Sequence, residues 1–221
     1  MSLFKIKYCG FKSLGDVRDA VESGAEAIGL NFFADSPRFI EPSVAAEISV
    51  YLQSVDVRSV GVFVDASRKD IEQVVERVQL DFVQLHGSES PDDFGHHGSS
   101  RLSRPVIKAL PYRGAVDVSN VFRWTNARDS VGLVAFLVDA YDPVQHGGTG
   151  KRARWDLLNP RPSCFGELPL VLAGGLTSEN VGQAQSIATP DAVDAASGIE
   201  DSPGKKSKQK MLAFVRAAKA I

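Results

Sequence analysis

Leu168-Pro169-Leu170-Val171-Leu172-Ala173 is an almost unbroken apolar run, and Gly174-Gly175-Leu176-Thr177 follows it directly. A run this short and this apolar reads as a strand covered on both faces, the condition of a parallel sheet packed between helices. Val60-Gly61-Val62-Phe63-Val64 has the same character. Outward from these two, short apolar runs alternate with longer amphipathic ones along the chain. Strands are predicted at 5–9, 27–33, 59–64, 81–86, 105–110, 134–139, 168–173 and 192–196. Helices are predicted near 14–23, 42–53, 67–78, 90–97, 114–124, 155–159, 178–187 and 205–220. The helix at 67–78 opens on Ser67, an N-cap residue type, and sets Ile71, Val74, Val75 and Val78 on one stripe. The polar stretch 95–104 reads as loop. Eight alternating units favour a closed α/β barrel of the (β/α)8 type over a doubly wound sheet. No interdomain linker is visible, so residues 1–221 are expected to form a single barrel domain.

Composition bounds the function. The 221 residues are 43% hydrophobic, enough for a large core, and carry a net charge of −2. That balance gives no footprint for nucleic acid or a membrane surface. No apolar run approaches the length of a membrane span. Cys9 and Cys164 are the only cysteines, far apart and without metal or redox spacing, so no metal site is expected. Met1-Ser2-Leu3-Phe4-Lys5 lacks a signal-peptide pattern, and a cytoplasmic location is expected.

Two strands end on reactive side chains. Ile6-Lys7-Tyr8-Cys9-Gly10 finishes on a thiol, and Ala135-Phe136-Leu137-Val138-Asp139 on a carboxyl. Strand ends of a barrel face one common mouth, where catalytic residues sit. Cys9 is either an inert buried thiol or a nucleophile or base; Asp139 is either a turn former or an acid. Two glycine turns, Ala173-Gly174-Gly175-Leu176-Thr177 and Ala196-Ser197-Gly198-Ile199-Glu200, follow strands seven and eight. In barrels this is the usual phosphate position, because glycines let backbone amides approach an anion. A third group, Gly147-Gly148-Thr149-Gly150-Lys151, reads as a second anion nest or a lid, and is not a P-loop.

Three further residues stand near the mouth. His86 is the only histidine at a strand end, while His96 and His97 fall in the polar loop and His146 after strand six. Asp194 lies within the strand-eight run, where an uncompensated charge is costly, so it needs a partner or a ligand. Arg38 follows strand two and either grips a carboxylate or is an ordinary loop arginine. Lys205, Lys206, Lys208 and Lys210 read as one solvated helix face.

Taken together, these motifs resemble the phosphoribosylanthranilate isomerase family of tryptophan biosynthesis. The resemblance rests on Lys7-Tyr8-Cys9-Gly10, Ser36-Pro37-Arg38, Val60-Gly61-Val62-Phe63, Gln84-Leu85-His86-Gly87, Asp139 with Gly147–Lys151, Ala173-Gly174-Gly175-Leu176 with Glu179-Asn180-Val181, and Ser197-Gly198-Ile199-Glu200 with Ser202-Pro203-Gly204. Tyr8 departs from a usual small aliphatic residue. Ala195-Ala196 departs from a usual valine-serine pair, which removes a hydroxyl from the phosphate turn. The resemblance implies an Amadori rearrangement with Asp139 as general acid and Cys9 as general base, needing no cofactor. It implies that Arg38 holds the anthranilate carboxylate and Asp194 the sugar or reacting amine. His86 is expected among the substrate contacts, and Gly174, Gly175, Ser197 and Gly198 around the phosphate. The partner implied is a small phosphorylated substrate, taken by a monomer or homodimer. Two alternatives remain: the histidine-pathway aminoaldose isomerase, and an inactive barrel that binds a phosphometabolite.

Overall fold

The structure, a computed structural model, describes residues 3–95, 101–139 and 155–220. Eight parallel strands close on themselves: β1 (Ile6–Cys9), β2 (Ala27–Asn31), β3 (Arg58–Phe63), β4 (Phe82–Leu85), β5 (Val106–Pro111), β6 (Leu133–Asp139), β7 (Leu170–Ala173) and β8 (Ala192–Ala195). Each pairs with its sequence neighbours, and β1 pairs with β8 through Ile6↔Val193, Lys7↔Asp194 and Tyr8↔Ala195. The connections carry α1 (Leu14–Ser23), α2 (Pro42–Ser54), α3 (Arg68–Val78), α4 (Asp92–Gly95), α5 (Val118–Asn126), α6 (Arg128–Val131), α7 (Val181–Ala188) and α8 (Lys208–Ala218). Single turns of 3-10 helix lie at Ala115–Asp117, Trp155–Leu158, Ser163–Phe165 and Ser197–Ile199.

Local chemistry accounts for several boundaries. Ser13 and Ser67 cap α1 and α3 by accepting from the amides of Asp16 and Asp70, each at 3.2 Å. Ile71, Val75 and Val78 of α3 are buried and Val74 packs partly against them, so the predicted stripe is present. Between β4 and β5, the described part of the predicted 90–97 helix is one helical turn, Asp92–Gly95, and His96 and His97 lie outside the described residues. The predicted 205–220 helix starts later, at Lys208. Glu200–Ser202 (β9) and Lys205–Lys206 (β10) instead form an antiparallel hairpin around Pro203-Gly204.

Strand side chains alternate between two cores. Outward residues such as Ile28, Leu30, Val83, Leu85, Phe136 and Val138 pack against the helices. Inward, Ala27, Val60, Phe82, Ile107, Ala135, Leu137 and Val171 fill the barrel, closed below by Phe4 on Phe82. Tyr8 points outward, where its hydroxyl donates to the Met211 carbonyl at 2.6 Å and its ring meets Phe214. Its departure from a small aliphatic residue therefore concerns the helix shell rather than the mouth.

One charged cluster pins the shell beneath the mouth. Lys108, outward on β5 and 1% exposed, donates to Glu89 Oε2 at 2.6 Å and to the Gly87 carbonyl at 2.8 Å. Glu89 also accepts from the amides of Asp65 and Gly87, tying the turns after β3 and β4 together. Removing one member of a buried pair strands the other charge. Lys108→Met should therefore lower the unfolding free energy by about 3–5 kcal/mol in urea melts. A loss under about 1 kcal/mol would mean that this pair does not hold the turns.

Candidate active site

The strand ends surround a cavity of about 310 Å³ lined by Cys9, Asn31, Arg38, His86, Asp139, Gly174, Gly175, Asp194, Ala196 and Ser197, among others. Every residue expected at the mouth is therefore brought to one place except Gly198. Gly198 lies behind the wall, where a Cβ would fall 1.9 Å from the Leu176 carbonyl oxygen. The missing side chain lets the turns after β7 and β8 touch. The glycine group at 147–151 and His146 lie outside the described residues.

Cys9 is half-buried at the end of β1. Gly29 stands beside it in register on β2, and a Cβ there would come within 2.6 Å of Cys9 Sγ. The bare backbone of Gly29 thus makes the slot for the thiol. Burial pushes the Cys9 thiol up, and Asp194 adds to this; Lys7 and Lys206 pull in the opposite direction. Lys7 lies two residues before Cys9, so both project into the barrel. It is fully buried and donates to Asp194 Oδ1 at 3.0 Å. Asp194 thus has the partner that its position demanded. Burial works against the Lys7 ammonium, but Asp194 and then Cys9 outweigh it, and its pKa is raised.

Arg38 is held rather than free. Its Nε and Nη2 donate to Glu200 Oε1 and Oε2 at 2.8 and 2.7 Å. Asn31 and Ser36 shape the loop that carries it, through Asn31 Nδ2 to Ser36 Oγ and the Arg38 amide to the same oxygen. Glu200 is shared with Lys206, whose Nζ lies 2.7 Å from Oε1. Burial opposes ionisation of Glu200, but Arg38 and Lys206 prevail and hold its carboxyl below the ordinary range. Lys206 corrects the sequence reading of a solvated lysine face. Its side chain is 1% exposed, because the hairpin turns it inward under the mouth.

Across the cavity, Asp139 ends β6 in register with Ala173 of β7. His86 follows β4, with Nδ1 2.7 Å from Gln84 Nε2. Desolvation by the packed surroundings lowers its pKa, and Lys7 adds to that against the opposing carboxylates Asp139 and Asp194. The imidazole is neutral near pH 7. Ala196 lines the cavity without a hydroxyl, while Ala195 is buried in the outer core.

A closed parallel barrel that gathers a thiol, two carboxyls, an arginine and two glycine turns at the carboxyl ends of its strands has the build of a small-molecule enzyme. Residues 6–217 match the family model described as N-(5'phosphoribosyl)anthranilate (PRA) isomerase. A relative of that name from Geobacter sp. (strain M21) is 42% identical over 217 residues, 98% of each chain. The crystal structure of phosphoribosyl anthranilate isomerase from Thermotoga maritima superposes with a TM-score of 0.82 at 36% identity, over 99% of this chain and 100% of that one. A further solved structure, of the isomerase in complex with reduced 1-(o-carboxyphenylamino)-1-deoxyribulose 5-phosphate, gives 0.79 at 35% identity, over 99% and 100%. The chain belongs to the N-(5'-phosphoribosyl)anthranilate isomerase family, and the family match decides against the histidine-pathway alternative.

Proposed function

We propose that the chain converts N-(5'-phosphoribosyl)anthranilate to 1-(o-carboxyphenylamino)-1-deoxyribulose 5-phosphate, the isomerase step of tryptophan biosynthesis. The observation that carries this reading is the meeting of Cys9, Asp139, Arg38 and the two glycine turns around one cavity in a chain of this family. The whole chain acts as one barrel in the cytoplasm, as a monomer or homodimer.

The chemistry is acid–base throughout. Asp139, protonated, gives its proton to the ribose ring oxygen as the C1–O bond breaks, leaving an iminium between C1 and the anthranilate nitrogen. The iminium acidifies C2–H, and the Cys9 thiolate takes that proton while the C–H electrons flow toward nitrogen. The resulting enolamine gains a proton at C1 while its C2 hydroxyl gives one up, and becomes the ketose. Arg38 receives the anthranilate carboxylate. Glu200 already occupies Nε and Nη2, so the carboxylate meets the Nη1 side. Asp194 and His86 contact the sugar and the reacting amine. Gly174, Gly175, Ser197 and Gly198 form the phosphate turns.

Freshly made phosphoribosylanthranilate, followed by its fluorescence, tests the reading. Turnover is expected, and tight binding without turnover would favour the inert barrel. Cys9→Ala and Asp139→Asn should each lower kcat by roughly a hundred- to ten-thousand-fold while near-UV circular dichroism stays native. Either variant keeping more than about a tenth of wild-type kcat would remove that residue from its role.

The two ends of the substrate should separate. Arg38→Met should raise KM while leaving competition by inorganic phosphate intact. Ser197→Glu puts a carboxylate at an exposed position of the second turn and should weaken that competition by about tenfold or more. Unchanged phosphate inhibition in folded Ser197→Glu would move the phosphate elsewhere.

A further inference from the structure

Cys9 stands between two buried ammonium groups. Lys7 shares its strand face, and Lys206 reaches it from the hairpin beyond β8. We propose that Lys7 and Lys206 are positioning residues that favour ionisation of Cys9 to the thiolate, Lys7 through the sulfur and Lys206 through the strand end that carries it. The proposal rests on Cys9 being the base of the reaction above.

The two lysines act differently because their donors are differently used. Lys206 Nζ has three acceptors: the Cys9 carbonyl at 2.6 Å, Glu200 Oε1 at 2.7 Å and the Ala196 carbonyl at 3.3 Å. Its three protons are thus spent, and it lies 5.1 Å over the Phe11 ring. It fixes the backbone of Cys9 to the turn that begins at Ser197 and adds only its field to the sulfur. Lys7 gives one bond to Asp194 and has two protons left on the inner face that it shares with Cys9. The thiolate is the acceptor that matches them.

Charge balance points the same way. The groups facing Cys9 are Lys7 from β1, Asp194 from β8, Lys206 and Glu200 from the hairpin, and Arg38 from the loop after β2. His86 and Asp139 face it across the cavity. Among the described residues, Lys7, Lys206 and Arg38 stand on this side of the cavity against the carboxylates of Asp194 and Glu200. A thiolate at Cys9 would face these cations from the end of β1. Burial and Asp194 leave the Cys9 thiol above its ordinary value, and the lysines supply the opposing pull that limits the rise.

Alkylation by iodoacetamide, followed against pH by intact mass, reads the Cys9 thiolate without any substrate. It therefore stands or falls separately from the isomerase reading. Cys164 is buried, and Cys9→Ala measures its background. Lys7→Met should move the midpoint upward by about one pH unit or more. Lys206→Met should move it upward by less, and Lys206→Arg should restore it. Asp194→Asn removes the neighbouring negative charge and should move it downward. This variant decides the matter if Lys7→Met does not fold. Where turnover is measurable, the acidic limb of kcat/KM should shift in the same directions, with kcat affected more than KM. Midpoints within about 0.3 pH units of wild type in folded Lys7→Met, or in Asp194→Asn where Lys7→Met does not fold, would overturn the proposal.

Discussion

The Lys7–Asp194 ion pair lies inside the barrel at the seam where the first strand meets the last. A buried charge needs its partner, and here the two partners sit on strands 187 residues apart. The pair can form only when β1 and β8 adopt one register, Lys7 beside Asp194. A slip of one residue in either strand would turn that strand's charge toward the helix shell and leave the other unpaired. The same register places Cys9 two residues above Lys7, and Ala196 and Ser197 just above Asp194. The site thus stands on the interaction that fixes the closure of its own scaffold. An apolar pair of similar volume could close the seam at less electrostatic cost, but would take from the thiol the ammonium on its own strand face.

Above the seam, a second relay runs Lys206–Glu200–Arg38. It joins three segments distant in sequence: the end of β1, the turn after β8 and the loop after β2. An arginine fixed by a carboxylate on one edge presents its remaining donors in one direction, which reduces the ordering cost when an anion arrives. Lys108 and Glu89 do comparable work beneath the turns after β3 and β4, outside the barrel wall. Charge is thus concentrated in a few buried pairs, while most of the remaining interior among the described residues is aliphatic and aromatic.

The barrel was legible because its strands carry local signals. Val60-Gly61-Val62-Phe63 and Leu170-Val171-Leu172-Ala173 are apolar in a way that only strands covered on both faces need. Ser67 announced the start of α3, and Asp194 announced that something must neutralise it. The identity of that partner was not legible, since it depends on the register of strands at opposite ends of the chain. Lys206 was misread for a related reason. A lysine-rich run looks like a solvated helix face, and burial of one member depends on a hairpin whose only local sign is Pro203-Gly204. Gly198 had the residue type of a phosphate turn, but its contact with Leu176 is a tertiary packing fact invisible in the sequence.

The central claim is that C2 loses a proton to a base rather than passing a hydride to C1. Substrate carrying deuterium at C2, converted in ordinary water, separates the two directly by mass spectrometry of the product. A thiol base exchanges with solvent, so the account predicts that deuterium is lost to water and C1 carries ordinary hydrogen. Complete retention of the deuterium at C1 would contradict it.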